Sequence, residues 1–322
     1  LKADAGKEVF AKLVAEADVV VENYRPDVKN RLGIDYDALA AINPRIILAS
    51  ISGFGQDGPY AKRPGFDQIA QGMGGHMMVT GVPGEGPMRS GAAISDMTAG
   101  ILCANGIALA LLERERSGEG QWVQTSLLEA MIFLLDFQAA RWLVDHEVPP
   151  QQGNHHPTIA PMGAFRTQDG FINIAPMPNH WEAFCKTTGL DALIDDPKFS
   201  SFDARVENRP ELIVKIEKVT TQKPSDYWIE ALNDARVPCG PIYAINEVFE
   251  DPQVRHLGMA RDVASPTLGR DIALINQPIM MSRTPTAMAS HPPDPGEQSD
   301  EILGELGLSA AEIDDLRARR VI

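Results

Sequence analysis

Apolar and polar positions set two different periods in the first fifty residues. Residues 5–17 place Val9, Phe10, Leu13 and Val14 on one face of a 3.6-residue repeat, which predicts an amphipathic helix. Asp18-Val19-Val20-Val21-Glu22 follows, a short apolar run bounded by acids, which predicts a buried strand. Asn23-Tyr24-Arg25-Pro26 is a turn in which Pro26 can open the next helix. Residues 36–42 form another helical stretch, and Arg45-Ile46-Ile47-Leu48-Ala49-Ser50-Ile51 is a second strand. Continuously apolar strands separated by helices predict a parallel sheet covered on both faces, the α/β class. Ligands of such sheets bind beyond the carboxyl ends of the strands. Here those ends are Asn23-Tyr24 and Ser52-Gly53-Phe54-Gly55.

The longest apolar run, residues 97–112, is preceded by Met88-Arg89-Ser90-Gly91-Ala92-Ala93-Ile94-Ser95-Asp96. Ser95 is the expected N-cap, and Ile101, Ala108 and Leu112 keep the helical repeat behind it. Asp96 therefore falls in the first turn, where free N–H groups and the helix dipole favour a carboxylate and keep it ionised. The local pattern leaves two readings open: a carboxylate that only caps, and one that acts as a covalent nucleophile. Residues 122–126 predict a short strand, and residues 127–144 a second long apolar helix that ends before Pro149 and Pro150.

From about Pro161 the pattern changes. Apolar runs flank Gln168-Asp169-Gly170, a hairpin signal, and helical stretches follow at 181–188, 209–219 and 225–235. Residues 278–283 are expected as a strand, 291–296 as a linker, and 299–306 and 309–319 as terminal helices, the last with a Ser309/Glu312 capping box. The expected organisation is a large domain over 1–150, a smaller α+β domain over 151–255, and a linker with helices returning to the large domain over 256–322.

Composition narrows the functions. A net charge of −15 over 322 residues argues against a nucleic-acid partner, although an acidic body can still carry a locally basic pocket for an anion. Three dispersed cysteines show no metal-ligand spacing and fit a reducing compartment, so a cytoplasmic protein is expected. The apolar run at 97–112 contains Asn105 and is short for a membrane span, so it reads as a buried helix with no membrane partner. Gly53-Phe54-Gly55 follows a strand, but Pro59 comes next and no helix begins at the last glycine. That excludes a dinucleotide phosphate loop. His76 reads as structural. Adjacent His155 and His156 point apart and lack a third ligand at suitable spacing, so no metal is expected. The chain starts at Leu1 directly on helix-like sequence, so an opening segment is expected to be absent.

Several stretches in order carry a resemblance: Val21-Glu22-Asn23-Tyr24-Arg25-Pro26, Ser50-Ile51-Ser52-Gly53-Phe54-Gly55, Gly65-Phe66-Asp67, the glycine-flanked stretch around Asp96, Gly118-Glu119-Gly120-Gln121, Gly153-Asn154, Val237-Pro238-Cys239-Gly240-Pro241 and Asp300-Glu301-Ile302-Leu303. Together they make the chain similar to the family III CoA-transferases, nearly end to end. The resemblance implies a Rossmann-like large domain, a smaller domain and an interlocked homodimer. It implies that Asp96 is the nucleophile that takes an acyl group and then CoA from an acyl-CoA before a carboxylic acid collects the CoA. It implies that Asn23, Tyr24, Arg31, Leu32 and Phe66 line the CoA site, and that Gly153 and Asn154 belong to a loop shielding the intermediates. No metal or redox cofactor is implied; the CoA thioester is substrate. Related 2-methylacyl-CoA racemases place a histidine where this chain has Phe66, which cannot move a proton, so transfer is favoured over isomerisation. A catalytically silent CoA-binding protein is the further alternative.

Overall fold

The computed structural model describes residues 1, 3–287 and 290–322. Two compact units divide the chain, Leu1–Gly153 with Pro295–Ile322, and Asn154–Asp294. The first contains α1 (Asp4–Glu16), β1 (Val19–Glu22), α2 (Pro26–Leu32), α3 (Tyr36–Ile42), β2 (Ile47–Ser52), α4 (Asp67–Met73), α5 (His76–Val79), α6 (Ile94–Ser117), β3 (Trp122–Ser126), α7 (Leu127–Phe133) and α8 (Phe137–Asp145). The strands form a parallel sheet in the order β1-β2-β3, with Glu22 opposite Ser50 and Ser52 opposite Ser126. Central β2 is buried on both faces, which is why it reads as an unbroken apolar run: Ile47, Leu48 and Ala49 are all fully enclosed. One side packs Val14, Ile34, Leu39, Ile46 and Leu48; a separate cluster of Ala70, Ala99, Leu127, Ala130 and Met131 joins α4, α6 and α7. Buried Arg114, near the end of α6, donates to the Asp18 carboxylate (2.7 Å) and the Arg45 carbonyl (3.0 Å), anchoring that helix to the entries of β1 and β2.

The helix expected over 127–144 is broken. Asp136 adopts φ +47°, separating α7 from α8. Aspartate is among the residue types that tolerate positive φ, and no proline or glycine announces the break in sequence.

The second unit contains β4 (Gly163–Arg166), β5 (Phe171–Ile174), α9 (Trp181–Thr188), α10 (Phe202–Glu207), α11 (Arg209–Thr220), α12 (Ser225–Asp234), β6 (Cys239–Pro241), α13 (Ile245–Val248), α14 (Pro252–His256), β7 (Ala260–Ser265) and β8 (Arg270–Ile275). The Asp169-Gly170 hairpin forms as expected, and its sheet runs β4-β5-β6, antiparallel throughout. The Asp169 carboxylate accepts from Thr167 Oγ1 (3.1 Å) and from Ser225 N–H and Oγ (both 2.8 Å), tying the hairpin to the start of α12. Large side chains fill the core, among them Phe165, Trp181, Phe184, Phe199, Leu212 and Trp228.

This unit extends past residue 255 because β7 and β8 pair with each other across Pro266-Thr267-Leu268-Gly269. Residues 278–283, expected as a strand, have no strand partner. The final helices, α15 (Ser299–Glu305) and α16 (Ala310–Ala318), belong to the first unit, and the Ser309/Glu312 capping box is present.

Candidate active site

The amino end of α6 is capped from outside its own segment. The N-cap position is Ala93, whose side chain caps nothing, and Ser95 lies inside the helix, fully buried. Ser95 donates from both its N–H (3.0 Å) and its Oγ (2.9 Å) to Asp67 Oδ1, at the start of α4. The capping role expected of Ser95 thus belongs to Asp67. The other Asp67 oxygen accepts from Gln71 Nε2 (2.8 Å), one turn along α4, and from Arg89 Nη2 (3.4 Å). Gln71 Oε1 in turn accepts the Ser90 N–H at 2.9 Å. The helices come close enough for this network because their contact is built from Ala70, Ala99 and Ala130.

Asp96 follows Ser95 on the next helical position and is exposed. It lines a cleft of about 380 Å³ with Asn23, Ile51, Ser52, Gly53, Gly65, Phe66 and Leu127. Asn23 follows β1, Ile51 to Gly53 end β2, and Leu127 follows β3, so the cleft opens at the carboxyl ends of all three parallel strands, where an α/β sheet places its ligand. Gly53 and Gly65 close its floor backbone to backbone: a Cβ on Gly53 would lie 2.8 Å from Gly65 Cα. No side chain larger than hydrogen fits there.

The electrostatics differ from the sequence-based expectation. Partial burial first, and the negative charge of Asp67 second, raise the Asp96 carboxyl above its ordinary pKa. The helix start was expected to hold it in the opposite direction. In the structure the Ser95 N–H is already taken by Asp67. His76 is pushed below its usual pKa by burial, with Asp67 opposing.

Of the residues expected to line a CoA site, Asn23 and Phe66 share the cleft with Asp96. Phe66 is 73% exposed, a free hydrocarbon ring with no group to carry a proton. Tyr24 is exposed, its N–H donating to Glu22 Oε2 at 2.7 Å. Arg31 and Leu32 are not brought to this cleft. They line a separate depression with Phe10, Ile34 and Leu39, because α2 points them toward α1 and α3. Gly153 donates to the Gly81 carbonyl (2.8 Å) at the end of the first unit, and the Asn154 carbonyl accepts from Ala164 N–H (3.1 Å) at the start of the second.

Two features escaped the sequence. Asp67 was visible only as part of Gly65-Phe66-Asp67, and nothing local shows that it reaches Ser95, 28 residues away. Lys29, one of the largest fully buried side chains, pairs with buried Glu22 (3.5 Å) and lies 4.4 Å from the Trp122 ring centroid. A Glu and a Lys seven residues apart at the end of an apolar strand were the available signal.

The α/β unit thus holds an exposed carboxylate at a helix start, in a cleft at the strand ends, a side-chain type that serves as a covalent nucleophile in group transfer. The family model for CoA-transferase family III matches residues 1–299, and the chain belongs to that family. It is 37% identical to the succinate–glutarate CoA-transferase of Agrobacterium fabrum, over 95% of this chain and 76% of that protein. It is 33% identical to the succinyl-CoA:glutarate CoA-transferase of Mus musculus, over 95% of this chain and 70% of that one. A solved CAIB/BAIF family protein from Brucella suis superposes with a TM-score of 0.83 at 36% identity, covering 95% of this chain and 79% of its own. The chain is therefore a CoA-transferase by family, and CoA thioesters are the substrates of that class.

Proposed function

We propose that Asp96 carries the transfer covalently. A carboxylate oxygen of Asp96 attacks the carbonyl carbon of a bound acyl-CoA; the C–S bond breaks and CoA leaves as thiolate, giving an aspartyl–acyl anhydride. The thiolate then attacks the aspartyl carbonyl, the donor leaves as a carboxylate, and Asp96 holds CoA as a thioester. The acceptor carboxylate attacks that thioester, whose C–S bond breaks to release CoA thiolate and leave an aspartyl–acceptor anhydride; the thiolate then attacks the acceptor's acyl carbon and frees the Asp96 carboxylate. No electron or net proton is exchanged. The observation that carries this reading is Asp96 itself: an exposed carboxylate facing a cleft beside Phe66 and Asn23. Its raised pKa makes it more basic, and so more nucleophilic, than an ordinary aspartate while leaving it a carboxylate type of nucleophile.

Dicarboxylic acids are the proposed acceptors, supported by the acids in the relatives' names. The test incubates the protein with succinyl-CoA and a panel of acids that includes glutarate, oxalate and monocarboxylates. An adduct of CoA mass on the peptide containing Asp96, discharged by a dicarboxylate, is expected. Turnover with no adduct under rapid quench would assign the chemistry to another route. Proton exchange at the α-carbon in deuterated water, with no acceptor, would assign it to isomerisation.

A cytoplasmic homodimer belongs to the same proposal. Met97, Ile101, Leu109 and Leu112 on α6, with Trp142 and Leu143 on α8, are each more than half exposed. α6, expected as a buried helix, is instead largely exposed, and it is long and apolar enough to cross a membrane. A face that size needs covering, and a second copy of the chain is the proposed cover. Light scattering without detergent should give twice the chain mass; a monomer that needs detergent would reject it.

A further inference from the structure

Lys29 is the least expected charge in the first unit. Its side chain is 2% exposed, in a helix whose one other buried residue is Pro26. Burial pulls its pKa down, and Glu22 chiefly pulls it back. Buried ion pairs give little net stability, since well-packed hydrocarbon of the same volume serves as well or better. A methionine at this position would satisfy the core, so the charge calls for a reason other than folding.

Its contacts supply one. The ammonium donates to Gln56 Oε1, in the loop that follows β2. It stands 3.5 Å from Glu22 Oε1, while Glu22 Oε2 accepts the Tyr24 N–H at 2.7 Å. The Glu22 carboxylate therefore clasps the backbone on either side of Asn23. Gln56 lies three residues after Gly53, on the loop that returns to Gly65 and Phe66. Asn23 and Gly53 are both cleft residues, on different strands. The Trp122 ring, held by its Nε1–H to Ser50 Oγ (2.9 Å), covers the ammonium. The Asp67–Ser95 network that sets Asp96 shares none of these groups.

We propose that Lys29 is a positioning residue for the CoA thioester: its ammonium ties the loop carrying Gly53 to the strand end carrying Asn23, and so fixes the separation of two walls of the cleft. The inference rests on the reading of that cleft as the CoA site. Cutting the tie lets one wall drift while the Ser95–Asp67 bonds still hold the helix start that carries Asp96. Thioester binding weakens and the chemical step does not.

The test compares wild type with Gln56→Leu, which cuts one end without stranding a charge, and with Glu22→Gln/Lys29→Met, which removes both charges and keeps an acceptor for Tyr24 N–H. Each is measured for KM of the acyl-CoA, kcat with its pH profile, thermal midpoint, and CoA affinity by calorimetry. In the double variant the expected result is a KM raised about tenfold and CoA affinity weakened in parallel, with kcat within about twofold of wild type and its pH profile unmoved. Gln56→Leu should move KM in the same direction by less. Unchanged KM and CoA affinity in a folded variant would overturn the proposal, as would kcat and kcat/KM falling together. Wild-type protein that binds no CoA would remove the site reading and this inference with it, an outcome the calorimetry separates from the first.

Discussion

Two of the cores in this chain are built from opposite materials. Around α4, α6 and α7 the packing is Ala70, Ala99 and Ala130 with Leu127 and Met131. In the second unit it is Phe165, Trp181, Phe184, Phe199, Trp228 and long aliphatics. Small side chains let backbones approach closely; a Cβ on Gly74 would meet Met131 Cβ at 2.5 Å. Close approach is what allows a carboxylate on one helix to cap the next, and so sets Asp96 by backbone geometry. The cost is little buried hydrocarbon per residue. The aromatic core does the reverse: it buries a great deal and positions no reactive group. One region is organised to place atoms, the other to hold a fold.

If that division is right, substitutions should separate activity from stability. Asp96→Asn is nearly isosteric and touches no core, yet it removes the proposed nucleophile. A loss of turnover on the order of 10⁴-fold or more is expected, with CoA affinity and thermal midpoint close to wild type. Substantial residual turnover in rapid-quench assays would take the covalent role from Asp96. Phe184→Ala is the converse. Phe184 is fully enclosed, and emptying its site should cost about 3–5 kcal/mol, read from the denaturant midpoint by the fluorescence of Trp181 and Trp228. A loss under ~1 kcal/mol would mean that the aromatic core collapses around the void, and the contrast between the regions would fail.

Ala99→Leu probes the small-residue core from the side of overpacking. Ala99 is fully buried on α6, one turn beyond Asp96. A leucine there must push α6 away from α4, costing about 1–3 kcal/mol of stability. The same shift lengthens the Ser95–Asp67 contacts, so kcat should fall further than the midpoint implies. Stability and kcat dropping in proportion would show that this core only holds the fold.

Much of this is readable in the sequence, and some of it is not. The strands announced themselves through unbroken apolar runs; for central β2 the run reflects burial on both faces, as in Ile47-Leu48-Ala49, whereas β1, also expected as buried, leaves Val21 exposed. The Asp169-Gly170 hairpin announced itself through its turn chemistry. Asp96 and Asn23 are legible from their places at a helix start and a strand end, while Phe66 is named only by the family resemblance; the structure puts all three on one cleft. What stayed hidden was set by tertiary contact. Ser95 has the residue type of an N-cap and is not one, because a better acceptor arrives from 28 residues earlier. Arg31 and Leu32 follow Asn23 closely in sequence, but α2 turns them to another surface. The break at Asp136 is announced by no proline or glycine, whereas the β7–β8 hairpin is local, and Pro266 and Gly269 punctuate its turn.

The finest test of the placing region concerns a proton. In the proposed mechanism Asp96 must be ionised to attack, and the charge on Asp67 is one of the two causes that raise its pKa. Asp67→Asn keeps an Oδ1 that can accept from Ser95 N–H and Oγ, so the helix start stays capped while the neighbouring charge disappears. Arg89, half exposed, is left to water. With less repulsion the Asp96 carboxyl ionises more readily, and the acid limb of the kcat profile moves to lower pH. A less basic carboxylate is also a weaker nucleophile, so the plateau above that limb should fall slightly. Asp67→Ala lacks the acceptor as well; it should add a capping loss of about 1 kcal/mol and lower kcat at every pH. An acid limb that stays in place in Asp67→Asn would confine Asp67 to the role of cap. A limb that moves while the midpoint holds shows the second carboxylate tuning the first.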